Sequence, residues 1–143
     1  VALSAWLGYG PGLCSFAPVC GNMLAMEHNG DVYSCDHFVD SGHYLGNITK
    51  TPLGTLAASS RQIDFGRAKQ NLLPKYCLKC AVRFVCNGGC PKNRIRHTSD
   101  GEAGLNYLCT GYKQFFTHIE SSMRAMAEEW RAGGSPSRIM EFN

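Results

Sequence analysis

Eight thiols are the part of this sequence that could do chemistry, at Cys14, Cys20, Cys35, Cys77, Cys80, Cys86, Cys90 and Cys109 of 143 residues. Five of them follow the pattern Cys77-x2-Cys80-x5-Cys86-x3-Cys90 and then Cys109, where one compact loop and one helix start can bring them together. A two-residue gap lets the sulfurs of Cys77 and Cys80 face a single centre, as in zinc knuckles and iron–sulfur loops. Half-cystines this close in sequence pair with one another only under strain, so the spacing favours a metal over a set of disulfides. Four thiolates satisfy either a tetrahedral zinc or an iron–sulfur cubane. Two features tilt the balance toward iron and sulfide. No histidine stands at zinc-finger spacing, and Cys14-x5-Cys20-x14-Cys35 is too spread to form a second Cys-x2-Cys hook. Eight thiols also divide into two sets of four.

The elements that must carry these thiols are short. Met23, Leu24 and Met26 read as one strand, His28-Asn29-Gly30-Asp31 as a turn and Val32-Tyr33-Ser34 as the returning strand, because Asn-Gly supplies the positive φ that a tight hairpin needs. The hairpin carries Cys20 before its first strand and Cys35 at the end of its second, side by side. Gly42 to Asn47 reads as loop. A short helix is expected from Thr51-Pro52 to about Ser59, and a second from about Arg61 to Asn71. The stretch from Cys77 to Cys90, with Gly88, Gly89 and Pro91 among its cysteines, reads as irregular loop, and residues 97–104 as a polar loop. Apolar residues at Leu105, Leu108, Tyr112, Phe115, Phe116, Ile119, Met123, Met126 and Trp130 then recur at steps of three and four, which predicts one long C-terminal amphipathic helix. Cys109 falls on its inward side. Residues 131–143, with Gly133, Gly134 and Pro136, read as a flexible tail.

Length and charge bound the rest. The chain suits one domain with a core. A formal charge of +3 with scattered basic residues gives no nucleic-acid footprint, and Lys92, Arg94 and Arg96 read as a solvated face. No apolar run reaches the ~18 residues that span a bilayer, so no membrane role is expected. The opening residues have neither a basic n-region nor a small-residue cleavage site, so they do not read as a signal peptide, and a cytoplasmic protein is expected. Position 1 is Val rather than Met, which reads as a piece of a longer protein.

Taken together, Cys20-x9-Gly30-x4-Cys35, Cys77-x2-Cys80-x5-Cys86-x3-Cys90 and Cys109 resemble the seven-cysteine signature of the SPASM domain, which follows the barrel in many peptide-modifying radical S-adenosylmethionine enzymes. Within that family the text around them is most similar to the anaerobic sulfatase-maturating enzymes: Cys20-Gly21-Asn22, Tyr33-Ser34-Cys35-Asp36-His37-Phe38-Val39, Leu45-Gly46-Asn47-Ile48, Cys86-Asn87-Gly88-Gly89-Cys90 and Leu105-Asn106-Tyr107-x-Cys109. The resemblance implies an α+β fold, a hairpin plus helices around two [4Fe-4S] clusters. It implies that residues 1–12 end an upstream barrel and its linker, with the SPASM domain at 13–130. It further implies that Cys14, Cys20, Cys35 and Cys90 bind one auxiliary cluster, and Cys77, Cys80, Cys86 and Cys109 the other. An aspartate at a strand end ordinarily caps the loop that follows. The resemblance gives Asp36 a catalytic role instead, as acceptor of a proton while a Cys or Ser of an unfolded sulfatase is oxidised to Cα-formylglycine. Ferredoxin or flavodoxin is the implied electron carrier. The cluster that cleaves S-adenosylmethionine must lie upstream, since the chain has no Cys-x3-Cys-x2-Cys, and this piece alone is expected to be inactive. The rival readings are a SPASM domain of another peptide-modifying enzyme, such as a thioether-forming one, and a structural two-zinc binding module.

Overall fold

A computed structural model describes residues 2–141. Val1 and the last two residues of the expected tail, Phe142 and Asn143, lie outside the described residues. In chain order the elements are helix α1 (Ala2–Trp6), strands β1 (Ala25–Met26), β2 (Asp31–Tyr33) and β3 (Tyr44–Asn47), helices α2 (Leu53–Ala57), α3 (Ser60–Asn71), α4 (Lys75–Leu78) and α5 (Arg83–Cys86), strands β4 (Arg96–His97) and β5 (Ala103–Leu105), and helices α6 (Cys109–His118) and α7 (Glu120–Arg131). This is the mixed helix and small-sheet architecture expected. The chain divides into two compact units, Pro18–Leu73 and the residues on either side of it.

In the unit Pro18–Leu73 the hairpin forms where the Asn-Gly pair places it, with Met26 opposite Val32. Asn29 stiffens the turn, its Oδ1 accepting from the Asp31 amide at 3.0 Å and its Nδ2 donating to the Asp31 carboxylate at 2.8 Å. The expected loop at 42–47 is instead largely a third strand, antiparallel to β2. Its cause is polar and not legible in hydrophobic periodicity. Asn47 Nδ2 donates to the Asp31 carboxylate at 2.9 Å and the Tyr44 hydroxyl donates to it at 3.1 Å, so one acid ties both ends of β3 to β2. These donors, Asn47 foremost, hold the Asp31 carboxyl below its ordinary value.

Helix α3 is the platform of this unit. Ser59 caps it, its Oγ accepting from the Gln62 amide at 3.3 Å. Ser59 and Gln62 have the spacing of a capping box, but the Gln62 side chain does not reach back to the cap. It is buried, and its Nε2 donates to Gly21 O at 2.7 Å and to Ser34 O at 3.0 Å. One amide thereby fixes the residue after Cys20 and the residue before Cys35. One turn along, the Cys20 amide donates to Gly66 O at 3.3 Å. A side chain at Gly66 would collide with the carbonyl oxygen of Cys20.

The other unit is built on Val82, Val85 and Phe116, all at most 5 % exposed, with Phe16 and Tyr112 edge-on to one another and Phe16 edge-on to Phe116 at 5.3 and 5.4 Å. Burial of each large apolar side chain is worth about 1.5–3 kcal/mol, so this cluster anchors α5 against α6. The single long helix of the sequence reading is two helices, breaking at Ile119, and Leu105 belongs to β5 rather than to a helix. Asn106 makes the helix start at Cys109, since its carbonyl accepts from the Cys109 amide at 3.0 Å and its Oδ1 from the Leu108 amide at 2.9 Å. The stretch 77–90 is likewise not irregular throughout, because α4 ends in it and α5 lies within it. Residues 136–141 form a 3-10 turn, with Arg138 paired to Glu129 of α7 at 2.7 Å. Among the described residues no helix is long and apolar enough to cross a membrane.

Gly66 gives the fold its test. Gly→Ala inside a helix normally stabilises by roughly 1 kcal/mol through propensity. Here Gly66→Ala forces the Cys20 segment off α3, an overpacking cost of about 1–3 kcal/mol. A lowered urea midpoint is expected, and a raised one would show that Cys20 is not seated on α3.

Candidate metal centre

Four of the five clustered cysteines line one pocket. Cys77 comes from α4, Cys80 from the turn that follows, Cys86 from the end of α5 and Cys109 from the first residue of α6, with Tyr112 and Leu105 closing the pocket around them. Cys90 is buried but is not part of this lining. Short helices achieve this where an extended loop would not. The Cys80 amide donates to Cys77 O at 3.2 Å, so a single turn holds both thiols of the Cys-x2-Cys pair.

The electrostatics confirm the proximity. Burial, followed by Cys109 and Cys86, pushes the Cys77 thiol up to about 11, with Arg94 opposing and Cys80 adding to the rise. Burial also raises Cys86, where Cys109 and Cys80 add to the effect, and it raises Cys109, where Cys80 adds and Lys113 opposes. Each of these shifts names other thiols of the set as neighbours. Four thiolates in so dry a place would repel one another, and only a cationic centre that replaces their protons removes the penalty. An all-sulfur donor set of this kind fits an iron–sulfur cluster or zinc, and no hard cation.

Between Cys86 and Cys90 the chain reverses through three consecutive residues in the left-handed region, Asn87 at φ 46°, Gly88 at 72° and Gly89 at 64°. Such a run costs little only where glycine supplies most of it. It lets Cys86 face the pocket while Cys90 leaves it. Arg94, read from sequence as part of a solvated face, instead turns its guanidinium onto this reversal. Its Nη2 donates to Asn87 O at 3.0 Å and Gly89 O at 3.3 Å, and its Nε to Gly88 O at 3.2 Å. Asn106 Nδ2 adds bonds to Gly88 O at 3.2 Å and Cys90 O at 3.4 Å. Sequence reading missed Arg94, Asn106 and Gln62. A signal for the first was present, since Asn-Gly-Gly leaves carbonyls that no helix or strand satisfies, and an arginine follows close behind. Gln62 carried none, because its partners lie 41 and 28 residues away.

Three cysteines remain. Cys14 is exposed, in the turn after α1, while Cys20 and Cys35 flank the hairpin. Asp36 lies beside Cys35, whose thiol donates to its carboxylate at 3.1 Å, and its side chain is 74 % exposed. That bond outweighs desolvation and, with a lesser contribution from the neighbouring His37, holds the Asp36 carboxyl below its ordinary value, so it is a carboxylate at neutral pH. His37 Nε2 is 3.9 Å from it.

Residues 14–81 match the SPASM family, an iron–sulfur cluster-binding domain. The chain is 48% identical over 139 residues to a serine-type anaerobic sulfatase-maturating enzyme of Bacteroides thetaiotaomicron, covering 97% of this chain and 34% of that protein. It is 30% identical over 105 residues to a cysteine-type anaerobic sulfatase-maturating enzyme of Clostridium perfringens, covering 73% of this chain and 28% of that one. A solved structure, native anSMEcpe with bound AdoMet and Cp18Cys peptide, superposes with a TM-score of 0.75 at 28% identity over 89% of this chain and 35% of that chain. The chain thus spans about a third of the length of the relatives it matches. Residues 14–81 carry the SPASM iron–sulfur cluster-binding pattern, and the chain is similar to a part of the anaerobic sulfatase-maturating enzymes.

Proposed function

We propose that this chain is the auxiliary-cluster part of an enzyme that oxidises a Cys or Ser of an unfolded sulfatase polypeptide to Cα-formylglycine. The observation that carries the reading is the gathering of Cys77, Cys80, Cys86 and Cys109 around one pocket in a chain so similar to sulfatase-maturating enzymes. These four thiolates hold one [4Fe-4S] cluster. Cys14, Cys20, Cys35 and Cys90 hold a second, a ligand set supported by the family pattern and by the absence of Cys90 from the first pocket. When bound, the clusters supply one-electron transfer, and S-adenosylmethionine on a further [4Fe-4S] cluster of the parent enzyme, outside this chain, supplies the hydrogen-abstracting radical.

Four cysteine ligands on each cluster leave no iron open to substrate, so the protein's contribution is to hold the clusters and to move the proton. Converting CH2–OH to an aldehyde, or CH2–SH to a thioaldehyde that water then hydrolyses to the aldehyde with release of hydrogen sulfide, removes one hydrogen atom, one proton and one electron. Asp36 takes the proton. Its exposure leaves it reachable, and an aspartate in contact with water is ionised at neutral pH. When Cys35 binds iron its thiol proton is displaced, and the bond it donates to Asp36 is lost, freeing that oxygen. The electron leaves to a ferredoxin or flavodoxin of the cytoplasm.

Metal content tests the cluster count. Anaerobic reconstitution should give about eight iron and eight sulfide per chain, as two cubanes with about one thiolate per iron require. Stoichiometric zinc without sulfide in anaerobically purified protein sinks the assignment.

The ligand sets make a separate prediction. In the full-length parent, Cys90→Ala and Cys14→Ala should disturb the same electron paramagnetic resonance signal, and Cys77→Ala and Cys109→Ala the other. Loss of the Cys77 signal on Cys90→Ala would reverse the wiring.

Asp36→Asn keeps the shape of the side chain and removes the base, a loss that typically costs ~10²- to 10⁴-fold in rate. In the full-length enzyme S-adenosylmethionine cleavage should continue, with far less peptide aldehyde formed per 5′-deoxyadenosine and iron content unchanged. Wild-type aldehyde yield would make Asp36 a loop cap, and lost iron would make it a support for the cluster.

A further inference from the structure

The reversal between Cys86 and Cys90 presents its two polar surfaces to different partners. Its outward carbonyls, those of Asn87, Gly88 and Gly89, converge on the Arg94 guanidinium at 3.0, 3.2 and 3.3 Å. Its amides bear on Cys86, with Gly89 donating to the Cys86 carbonyl at 2.9 Å and both Gly88 and Gly89 lowering the Cys86 thiol against the larger rise from burial. A planar fork with several fixed donors can gather three carbonyls at once, which an ammonium cannot do with the same rigidity. Arg94 is only partly exposed, and its charge opposes the rise that burial gives the Cys77 thiol. The same loop is locked from the other face, because a side chain at Gly89 would run into Asn106 and Tyr112.

We infer that Arg94 is a positioning residue that raises the reduction potential of the cluster held by Cys77, Cys80, Cys86 and Cys109, by fixing the Gly88 and Gly89 amides near Cys86 and by setting a permanent positive charge against Gly88, which lines the pocket. The inference rests on the ligand set proposed above. Its sign follows from charge. A cluster gains one negative charge on reduction, so amide donors to a ligand sulfur and a nearby cation both stabilise the reduced form more than the oxidised one. Nothing comparable is required of Arg96, which is exposed on β4 two residues away.

The test is a redox titration of the full-length, reconstituted enzyme followed by electron paramagnetic resonance, with the signal first assigned by its loss in Cys77→Ala. If Cys77→Ala leaves every signal in place, the ligand set is wrong and the inference falls with it for that separate reason. With the signal assigned, Arg94→Gln should lower the midpoint of this cluster by at least tenfold in the equilibrium constant, about 59 mV for a one-electron couple. Arg94→Lys, which keeps the charge and loses the fork, should lower it by less. The other auxiliary cluster and the Arg96→Gln control should not move, and iron content should stay at the wild-type level. Should Arg94→Gln shed iron, the Arg94→Lys midpoint decides. An unchanged midpoint in the variant that keeps its iron overturns the inference, as does an equal shift of both auxiliary clusters. Loss of the cluster from both variants makes Arg94 a folding residue and overturns it too.

Discussion

Crowding four thiols into a desolvated pocket is the constraint on which the larger unit turns. Without a metal the protons must stay, as the raised Cys77, Cys86 and Cys109 pKa values record. With a metal the charge is neutralised at the centre, but the ligand sulfurs must still be aimed inward by backbone that has somewhere to satisfy its own polar groups. The short helices α4 and α5, the helix start at Cys109 and the left-handed reversal after Cys86 are four local solutions to that geometry. Arg94 and Asn106 accept the consequence, taking up the carbonyls that the reversal turns away from the pocket. The aromatic cluster around Phe116 then fixes the helices that carry Cys86 and Cys109.

The unit Pro18–Leu73 solves a similar problem with less apolar surface. Its strands are two to four residues long, too short to hold a register by side-chain packing alone. Asp31 takes that task with three side-chain donors, and Gln62 ties the Cys20 and Cys35 segments together through a single amide. Gln62 Oε1 is buried without a hydrogen-bond partner among the described residues. Turning the amide over would aim that oxygen at two carbonyls and lose both bonds, so the orientation is determined by its partners. Leaving a polar atom unsatisfied costs about 1–3 kcal/mol, which marks the two bonds it retains as the more valuable side of the exchange.

The cysteine spacing, the Asn29-Gly30 turn and the periodic residues around Phe116 were legible because each is a local signal, carried by neighbours in the chain. From them follow a hairpin, helices near α2 and α3, a metal-binding thiol set and the resemblance to a SPASM domain. The third strand, the β4–β5 hairpin, the short helices α4 and α5 and the break at Ile119 were not legible. β3 is held by Asp31, and the start of α6 by Asn106, whose polar bonds leave no mark in a hydrophobic period. Spacing left open which thiols share a pocket; the resemblance implied a grouping, and the tertiary structure gives the physical reason that four of them meet. Spacing places Cys90 only four residues from Cys86, but the left-handed run at 87–89 turns it out of the pocket that Cys109, nineteen residues further on, enters. Sequence proximity measures contour length, whereas ligation depends on the direction in which each sulfur is aimed, and that direction is set by φ at three residues and by the arginine that holds them.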